Sequence, residues 1–305
     1  MTDSTNAQTR ATSWPAVEVP EKVRVVFRSL GQVFFQENAL TGLLFAIGIA
    51  LSSPRMALGA IVGSAIGSAT AWILKFDRLV LKAGIYGINA AVIGIATLFF
   101  FPPGAVSICL MVVGCVVAAL LTEAFRRYVP FMTYAAPFNL TFWPIYFLGP
   151  ALGTPRIEFT EPFTASFVEA VAFGIGQVLF QASIWTTLFF LAGMALNNWR
   201  HACWAVVASI VGMLVGIYHH DSSAEVAELG LYGYNAVLAA LALFVWRPSV
   251  IPPLFGIVLT VPLTENFPLL GLPALTAPFV LSTWLVQALV QLEGRLYGPR
   301  APSSG

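Results

Sequence analysis

The stretch Gly31-Gln-Val-Phe-Phe-Gln36 recurs almost letter for letter as Gly176-Gln-Val-Leu-Phe-Gln181. The shift is 145 positions, about half of the chain, and the likeness continues well beyond these six residues. Further matching pairs are Thr41 and Thr186, Phe45 and Phe190, Gly48 and Gly193, Arg55 and Arg200, and Ser64 and Ser209. The chain therefore contains one unit twice, and its fold depends on the relative orientation of the two copies.

The composition indicates a membrane protein. Apolar residues make up 58% of the chain, charged residues only 10%, and the mean hydropathy is +0.83. An ordinary soluble domain carries about 25% charged residues, so a soluble enzyme is excluded. The net charge of +1 argues against nucleic acid as a partner. The three cysteines lie in apolar runs with the spacing of neither a metal site nor a disulfide framework, so no cofactor or metal is expected.

The apolar runs predict ten membrane spans in two sets of five, each preceded by a short segment that ends at Gln36 or Gln181. A polar, acidic linker over 151–169 joins a first repeat at 25–150 to a second at 170–292. Residues 1–24 and 293–305 are predicted to be tails, the first without the apolar core of a signal peptide. The predicted spans are 39–53, 56–74, 84–101, 104–122, 133–150, 184–197, 202–218, 230–246, 250–264 and 275–292.

The basic residues predict the orientation of these spans. If the first residue is cytoplasmic and the spans alternate, thirteen of the fifteen basic residues fall inside and only Arg55 and Arg156 fall outside. The positive-inside rule therefore favours two cytoplasmic termini. The inside set is Arg10, Lys22, Arg24, Arg28, Lys75, Arg78, Lys82, Arg126, Arg127, Arg200, Arg247, Arg295 and Arg300.

An odd number of spans in each copy makes the two copies point in opposite directions. Inverted repeats of this kind place a site near the middle of the membrane, where short or Pro-broken segments meet. The segments ending at Gln36 and Gln181 are equivalent, and so are the stretches around Pro137 and Pro278. This organisation predicts a transport pathway.

The nearly uncharged spans predict a neutral cargo. Coupled carriers and ion pores need buried ionisable groups or a filter. We predict His201, His219, His220 and Glu265 in loops and Glu123 at the end of a span. A small, neutral, polar solute therefore fits the pathway better than a proton- or sodium-coupled substrate.

Gln32 and Gln177 are the first candidates to line the path, because an amide both accepts and donates hydrogen bonds. Thr276 supplies a hydroxyl beside Pro278, which disfavours helix in the residue before it. Phe35 and Phe180 follow each glutamine by three residues, so on a helix they would share its face and form flat walls. The alternative for the glutamines is hydrogen bonding between helices.

Two further motifs keep two interpretations each. The Tyr86-Gly-Ile-Asn89 and Tyr232-Gly-Tyr-Asn235 boxes fit either the pathway or close helix packing, with Asn bonded to backbone groups. The sequon Asn139-Leu-Thr141 lies in an apolar span, where we expect no glycosylation.

Three stretches together resemble the urea transporter family. They are Gly31-Gln-Val-Phe-Phe-Gln-Glu-Asn-Ala-Leu-Thr-Gly-Leu-Leu44, the two Tyr-Gly-X-Asn-Ala boxes, and Leu272-Pro-Ala-Leu-Thr-Ala-Pro-Phe279. The resemblance covers about 25–292. It implies an all-α polytopic membrane protein of ten transmembrane helices plus two short tilted half-membrane helices, arranged as two inverted five-helix repeats.

The resemblance also implies passive, channel-like permeation of urea by a homotrimer in the cell inner or plasma membrane, with one pore in each subunit. It places Gln32 and Gln177 on the pore and Phe35 and Phe180 at the walls of a slot. Thr276 lies at the central constriction, and other lining positions are Ile88, Val92, Tyr234 and Leu238.

Two positions depart from the pattern. Ala135 stands where the first half should match Thr276, and Ile88 stands where an aromatic residue is common, opposite Tyr234. The slot should therefore be asymmetric. The alternative function is a channel for another small neutral solute, such as a short amide, ammonia or water.

Overall fold

The computed structural model describes residues 19–158, 165–220 and 229–297, and these parts of the chain are helical, without a strand. The helices are α1 Glu21–Gln32, α2 Ala39–Ser52, α3 Pro54–Ile73, α4 Arg78–Lys82, α5 Ile85–Phe100, α6 Ala105–Tyr128, α7 Ala136–Ala151, α8 Phe167–Gly176, α9 Ile184–His220, α10 Gly233–Trp246, α11 Ile251–Asn266 and α12 Ala277–Tyr297. Short 3-10 turns cover Gln177–Leu179 and Phe267–Leu270. The first predicted tail up to residue 18, linker residues 159–164, the acidic stretch 221–228 and the last eight residues lie outside the described parts.

Four helical stretches of the described chain are long and apolar enough to cross a membrane: Pro54–Ile73, Ala105–Tyr128, Ile184–Tyr218 and Ile251–Leu270. Shorter apolar helices run over Ala39–Ser52, Ile85–Phe100, Phe167–Leu179 and Gly233–Trp246. Lipid offers no partners for backbone groups, and helices satisfy these groups internally. The chain is a helical membrane protein.

Helix bounds follow the predicted spans closely, with two informative differences. Helix α6 continues six residues beyond the predicted end at 122, because Arg126 and Arg127 both pair with Glu123 within its last two turns. The predicted spans 184–197 and 202–218 are two helical limbs of α9, separated by one non-helical residue, Asn198 (φ −156°, ψ 105°), and not by a loop. Ser53, between α2 and α3, has nearly the same backbone angles (φ −151°, ψ 97°). The two turns lie 145 positions apart, as the sequence repeats do.

The prediction that His201, His219, His220 and Glu265 lie in loops is wrong. The histidines belong to α9 and Glu265 to α11. His201 is only 8% exposed, because the turn at Asn198 occupies a single residue and the next helical limb starts beside Gln36. Glu123 is also buried, at 7% exposure, inside α6. The helical region therefore contains ionisable groups that the sequence interpretation placed outside it.

Small residues bring the helices close together. On α3, a methyl group added to Gly59 would lie 2.6 Å from the carbonyl oxygen of Gly94, and one added to Gly67 would lie 2.6 Å from that of Tyr86. Helix α5 therefore packs directly on α3 through backbone atoms, as small residues allow in membrane proteins. Gly87 is equally enclosed, between the side chains of Ser29 and Ser64.

Reciprocal hydrogen bonds join α2 to α9. The Thr41 hydroxyl donates to the carbonyl of Gly193, and the Thr186 hydroxyl donates to the carbonyl of Gly48, each at 2.8 Å. Phe45 and Phe190 pack beside these bonds with ring centroids 5.0 Å apart. Because the two threonines are equivalent in the sequence repeat, each half contributes the same element to this contact.

Candidate functional site

Two tight hairpins follow the short helices α1 and α8. In the first hairpin, the backbone amide of Gln36 donates to the carbonyl of Gly31 at 3.0 Å. In the second, the backbone amide of Gln181 donates to the carbonyl of Gly176 at 3.1 Å. Between them, Phe35 and Phe180 adopt left-handed backbone angles, with φ of 60° and 59°. The expectation that these rings lie on a helical face is therefore wrong, because the chain has already left the helix.

The paired glutamines make matching contacts. Gln32 donates from Nε2 to the carbonyl of Ala83 at 3.2 Å, and Gln177 donates to that of Leu229 at 3.3 Å. Each bond uses one amide proton and leaves the side-chain oxygen able to accept from a solute. The same bonds also connect α1 and α8 to neighbouring loops, so both interpretations of the glutamines have a structural basis.

The Asn residues of the two boxes hold backbone groups. Asn89 donates to the carbonyl of Tyr134 and accepts from the amide of Phe138, both at 3.2 Å. Asn235 donates to the carbonyl of Leu275 at 3.1 Å and accepts from the amide of Phe279 at 3.3 Å. These bonds fix the segments that lead into α7 and α12.

Tyr134 and Leu275, which those asparagines hold, have left-handed backbones, with φ of 44° and 45°. A non-glycine residue held in a sparsely populated region costs about 1–3 kcal/mol, and such residues cluster at functional sites. Each half therefore has backbone strain at two matching positions. One is in the hairpin, at Phe35 or Phe180, and the other is just before α7 or α12, at Tyr134 or Leu275.

A cavity of about 830 Å³ brings seven of the ten predicted site residues together. These are Gln32, Phe35, Ile88, Val92, Ala135, Leu238 and Thr276. Tyr134 and Phe279 complete an aromatic wall with Phe35, with ring centroids 5.4 to 6.3 Å apart. The other walls are largely aliphatic, so the cavity offers flat apolar surfaces with a few hydrogen-bonding groups.

Gln177, Phe180 and Tyr234 do not line this cavity. Gln177 precedes Val178, which does line it, whereas the Tyr234 hydroxyl donates to the carbonyl of Leu275 at 2.8 Å. Phe180 packs on Phe99 with ring centroids 5.0 Å apart. Phe99 lines a second cavity of about 410 Å³, with Arg156 and Glu158 among its other residues.

The large cavity carries little net charge. Glu37 and Arg126 are the charged side chains among the described residues that line it. Arg126 pairs with Glu123 at 3.0 Å and also donates to the Tyr86 hydroxyl at 2.8 Å. Because the guanidinium is neutralised locally, the interior suits a neutral polar solute better than an ion. Within 19–158, 165–220 and 229–297, no three potential ligand residues converge on a metal site.

Two residues at the site escaped the sequence interpretation. Tyr134 lies in the aromatic wall, and its left-handed backbone could not be anticipated because bulky residues disfavour it. Asn139, considered only as a sequon, is 2% exposed and bonds to both Ala135 and Thr276. The sequence did contain a signal for Asn139. At the spacing that pairs Ala135 with Thr276, Asn139 pairs with Val280, which is a third difference between the two repeats after Ala135 and Ile88.

Comparison with known proteins adds to this geometry. The profile of the family described as "Urea transporter" matches residues 23–291, most of the chain. The chain belongs to the urea transporter family. Its relatives include Urea transporter 1 of Ovis aries, 24% identical, and Urea transporter 1 of Mus musculus, 25% identical. Both alignments cover 89% of this chain and 78% of the relative. Members of the urea transporter family are transporters rather than enzymes, in agreement with the sequence interpretation.

Proposed function

We propose that the chain conducts urea passively across the membrane, through the large cavity and past Gln32, Phe35 and Thr276. The observation that carries the proposal is the lining with little net charge, which includes Gln32, Phe35, Ala135 and Thr276. The names of the relatives support urea as the cargo. A narrow passage with flat walls and few polar groups suits a small planar molecule.

Urea must lose hydration to enter such a slot. An unsatisfied polar group costs a few kcal/mol in apolar surroundings, and each replacement hydrogen bond returns about 1 kcal/mol. In the cavity, the amide oxygen of Gln32 and the hydroxyl oxygen of Thr276 would accept from the urea amino groups in turn. We propose the same role for the amide oxygen of Gln177, which lies outside this cavity, at the opposite entrance. Bonds of this strength are weak enough to break again, as conduction requires.

The architecture proposed with this function is ten transmembrane helices and two half-membrane helices, α1 and α8, in two inverted repeats. Its support is the set of contacts that recur in both halves: the two glutamine bonds, the two asparagine clamps and the two turns at Ser53 and Asn198. The proposed units are 25–150 and 170–292, joined by an extracytoplasmic linker at 151–169, with cytoplasmic tails at 1–24 and 293–305. The positive-inside count supports this orientation.

We further propose a homotrimer in the cell inner membrane, with one pore in each subunit. The family resemblance motivates this arrangement. Exposed apolar side chains, such as Leu43 and Ile47 on α2, offer surface for neighbouring subunits or lipid. The oligomeric state is open to direct measurement by the mass of the detergent-solubilised particle.

A second candidate function is permeation of another small neutral solute. Ala135 and Ile88 support it, because both remove polar or aromatic groups from one side of the slot. A flux panel in proteoliposomes separates the candidates: urea, acetamide, ammonia and water are compared under equal gradients. Urea permeability well above that of empty vesicles supports the proposal, whereas transport of one of the other solutes without urea would replace it.

A further inference from the structure

Asn139 lies on the first turn of α7, in hydrogen-bond contact with both Ala135 and Thr276. Its Nδ2 donates to the carbonyl of Ala135 at 2.9 Å. Its Oδ1 accepts from the backbone amide of Thr276 at 3.2 Å and from the Thr276 hydroxyl at 3.3 Å. Ala135 and Thr276 line the cavity, while Asn139 is buried at 2% exposure. One carboxamide therefore bridges the two sides of the slot.

Chemistry fixes which way this carboxamide points. The backbone amide of Thr276 can only donate, so the atom facing it must be the oxygen of Asn139. The carbonyl of Ala135 can only accept, so the atom facing it must be the nitrogen. Both contacts therefore require the same orientation. A flipped carboxamide would place its nitrogen against the Thr276 amide, donor against donor, and its oxygen against the Ala135 carbonyl, acceptor against acceptor. Val280, the match of Asn139 in the second half, has no group that could make either bond.

This orientation determines what Thr276 can offer to a solute. A threonine hydroxyl has one proton and two lone pairs. Since the proton is directed to Asn139 Oδ1, the lone pairs are left for the cavity. Thr276 therefore faces the pathway as an acceptor, which matches an N–H donor and gives nothing to a carbonyl oxygen.

We propose that Asn139 is a positioning residue that makes the constriction selective for solutes with amino groups, and that it compensates for the hydroxyl absent at Ala135. In the second half, the polar group at the constriction is the Thr276 hydroxyl and the position one turn later is Val280. In the first half the arrangement is reversed: the position that matches Thr276 is the apolar Ala135, and the position that matches Val280 is the polar Asn139. The favoured solute class is the planar primary amides, with two amino groups better than one. This inference rests on the proposed function.

The test is the Asn139→Val substitution in proteoliposomes, with urea and acetamide as the two solutes. Acetamide keeps the planar shape and the carbonyl of urea but has a methyl group in place of one amino group. Without Asn139, the Thr276 proton is free to turn toward the cavity, so urea loses an acceptor. We expect urea permeability to fall about fivefold to tenfold, since one net hydrogen bond is lost. We expect acetamide permeability to fall less, so the urea-to-acetamide ratio drops.

A double substitution keeps the test decisive if the single variant folds poorly. Ala135→Thr with Asn139→Val gives the first half the Thr and Val pair that the second half carries at Thr276 and Val280. Restored urea selectivity in this variant supports compensation, and a ratio that stays low overturns it. Size-exclusion profiles and vesicle protein content would normalise the fluxes.

The outcomes separate this inference from the proposed function. Wild-type protein that fails to conduct urea would overturn the proposed function. Wild-type protein that conducts urea, with Asn139→Val lowering urea and acetamide by the same factor or by none, would overturn the positioning role alone. A packing residue would change the amount of active protein but not the ratio between two solutes.

Discussion

Gln32 and Gln177 each donate one hydrogen bond from the side-chain amide to a backbone carbonyl, that of Ala83 or Leu229. The bond holds the side chain in one rotamer, so its oxygen is presented without further loss of rotational freedom. Such preorganisation matters in a pathway where each hydrogen bond is worth only about 1 kcal/mol. In the proposed pathway, a preorganised glutamine would therefore make a weak site specific.

Substituting Gln177→Leu should lower urea permeability about tenfold, because the loss of one hydrogen bond of roughly 1.4 kcal/mol at the barrier is a factor of ten. Stopped-flow shrinkage of proteoliposomes in a urea gradient measures this. The matched control is Gln291→Leu, the same substitution at an exposed position on α12, which should leave the flux unchanged. Equal fluxes for both variants would show that Gln177 only joins helices.

At the same scale, the sequence singled out seven residues that line the large cavity, but not the backbone geometry that places them. The repeat pointed to both glutamines, Phe35 and Phe180 because equivalent positions were visible in the letters alone. The left-handed backbones of Phe35 and Tyr134 were not visible, because surrounding contacts impose a conformation that these residue types disfavour. Asn139 was missed because one of its partners, Thr276, lies 137 positions further along the chain.

Among the elements, the hairpin that ends α1 depends on a glycine. A methyl group added at Gly31 would lie 2.5 Å from the carbonyl oxygen of Gln36 and 2.8 Å from that of Asn38. Backbone atoms cannot give way as flexible side chains do. The hairpin places both Gln32 and Phe35, so its closure fixes this part of the cavity wall.

Gly31→Ala should therefore destabilise the protein by about 1–3 kcal/mol, the usual cost of inserting a methyl group into a close-packed region. A lower melting temperature in detergent and reduced urea flux would report the effect. Gly294→Ala is the control, because an added methyl group there meets nothing within 4 Å and alanine favours helix. Similar melting temperatures for the two variants would contradict the structural role of Gly31.

Helix positions were predictable from the apolar runs, whereas helix ends depended on tertiary contacts. Helix α6 runs past its predicted end because Glu123 pairs with two arginines. The turn at Asn198 is a single residue, so His201 enters the next helical limb and becomes buried. Both differences arise where polar side chains find partners inside the protein, which hydropathy alone does not reveal.

On the scale of the whole molecule, the buried imidazole of His201 bears on the mechanism. It contacts Gln36 at 2.7 Å and Asn198 at 3.2 Å, and it does not line the large cavity. The equivalent position in the first half is Met56, which lies 3.6 Å from the Gln181 amide. Because a thioether cannot carry a proton, the contact is structural in one half, and the same role is expected for His201 in the other.

His201→Met should therefore leave urea permeability unchanged. It gives Gln36 a thioether partner like the one that Gln181 already has in Met56. Flux at several external pH values, for wild type and variant, checks this. Glu123, the other buried ionisable group named above, pairs with Arg126 and Arg127. The substitution at His201 leaves these ion pairs unchanged, so any difference between variant and wild type reports on His201. Loss of flux in the variant at every pH would assign His201 a part in transport.

Passive urea conduction is the central claim, and steady-state accumulation tests it most directly. Proteoliposomes with the wild-type protein are given labelled urea on both sides under an imposed proton gradient, and in a parallel sample under a sodium gradient. Conduction through a neutral slot has no means of coupling to either gradient, so urea should remain at equal concentrations inside and outside. A pulse of urea added to the outside alone should equilibrate faster than in empty vesicles. Urea accumulated on one side in step with either gradient would contradict the account.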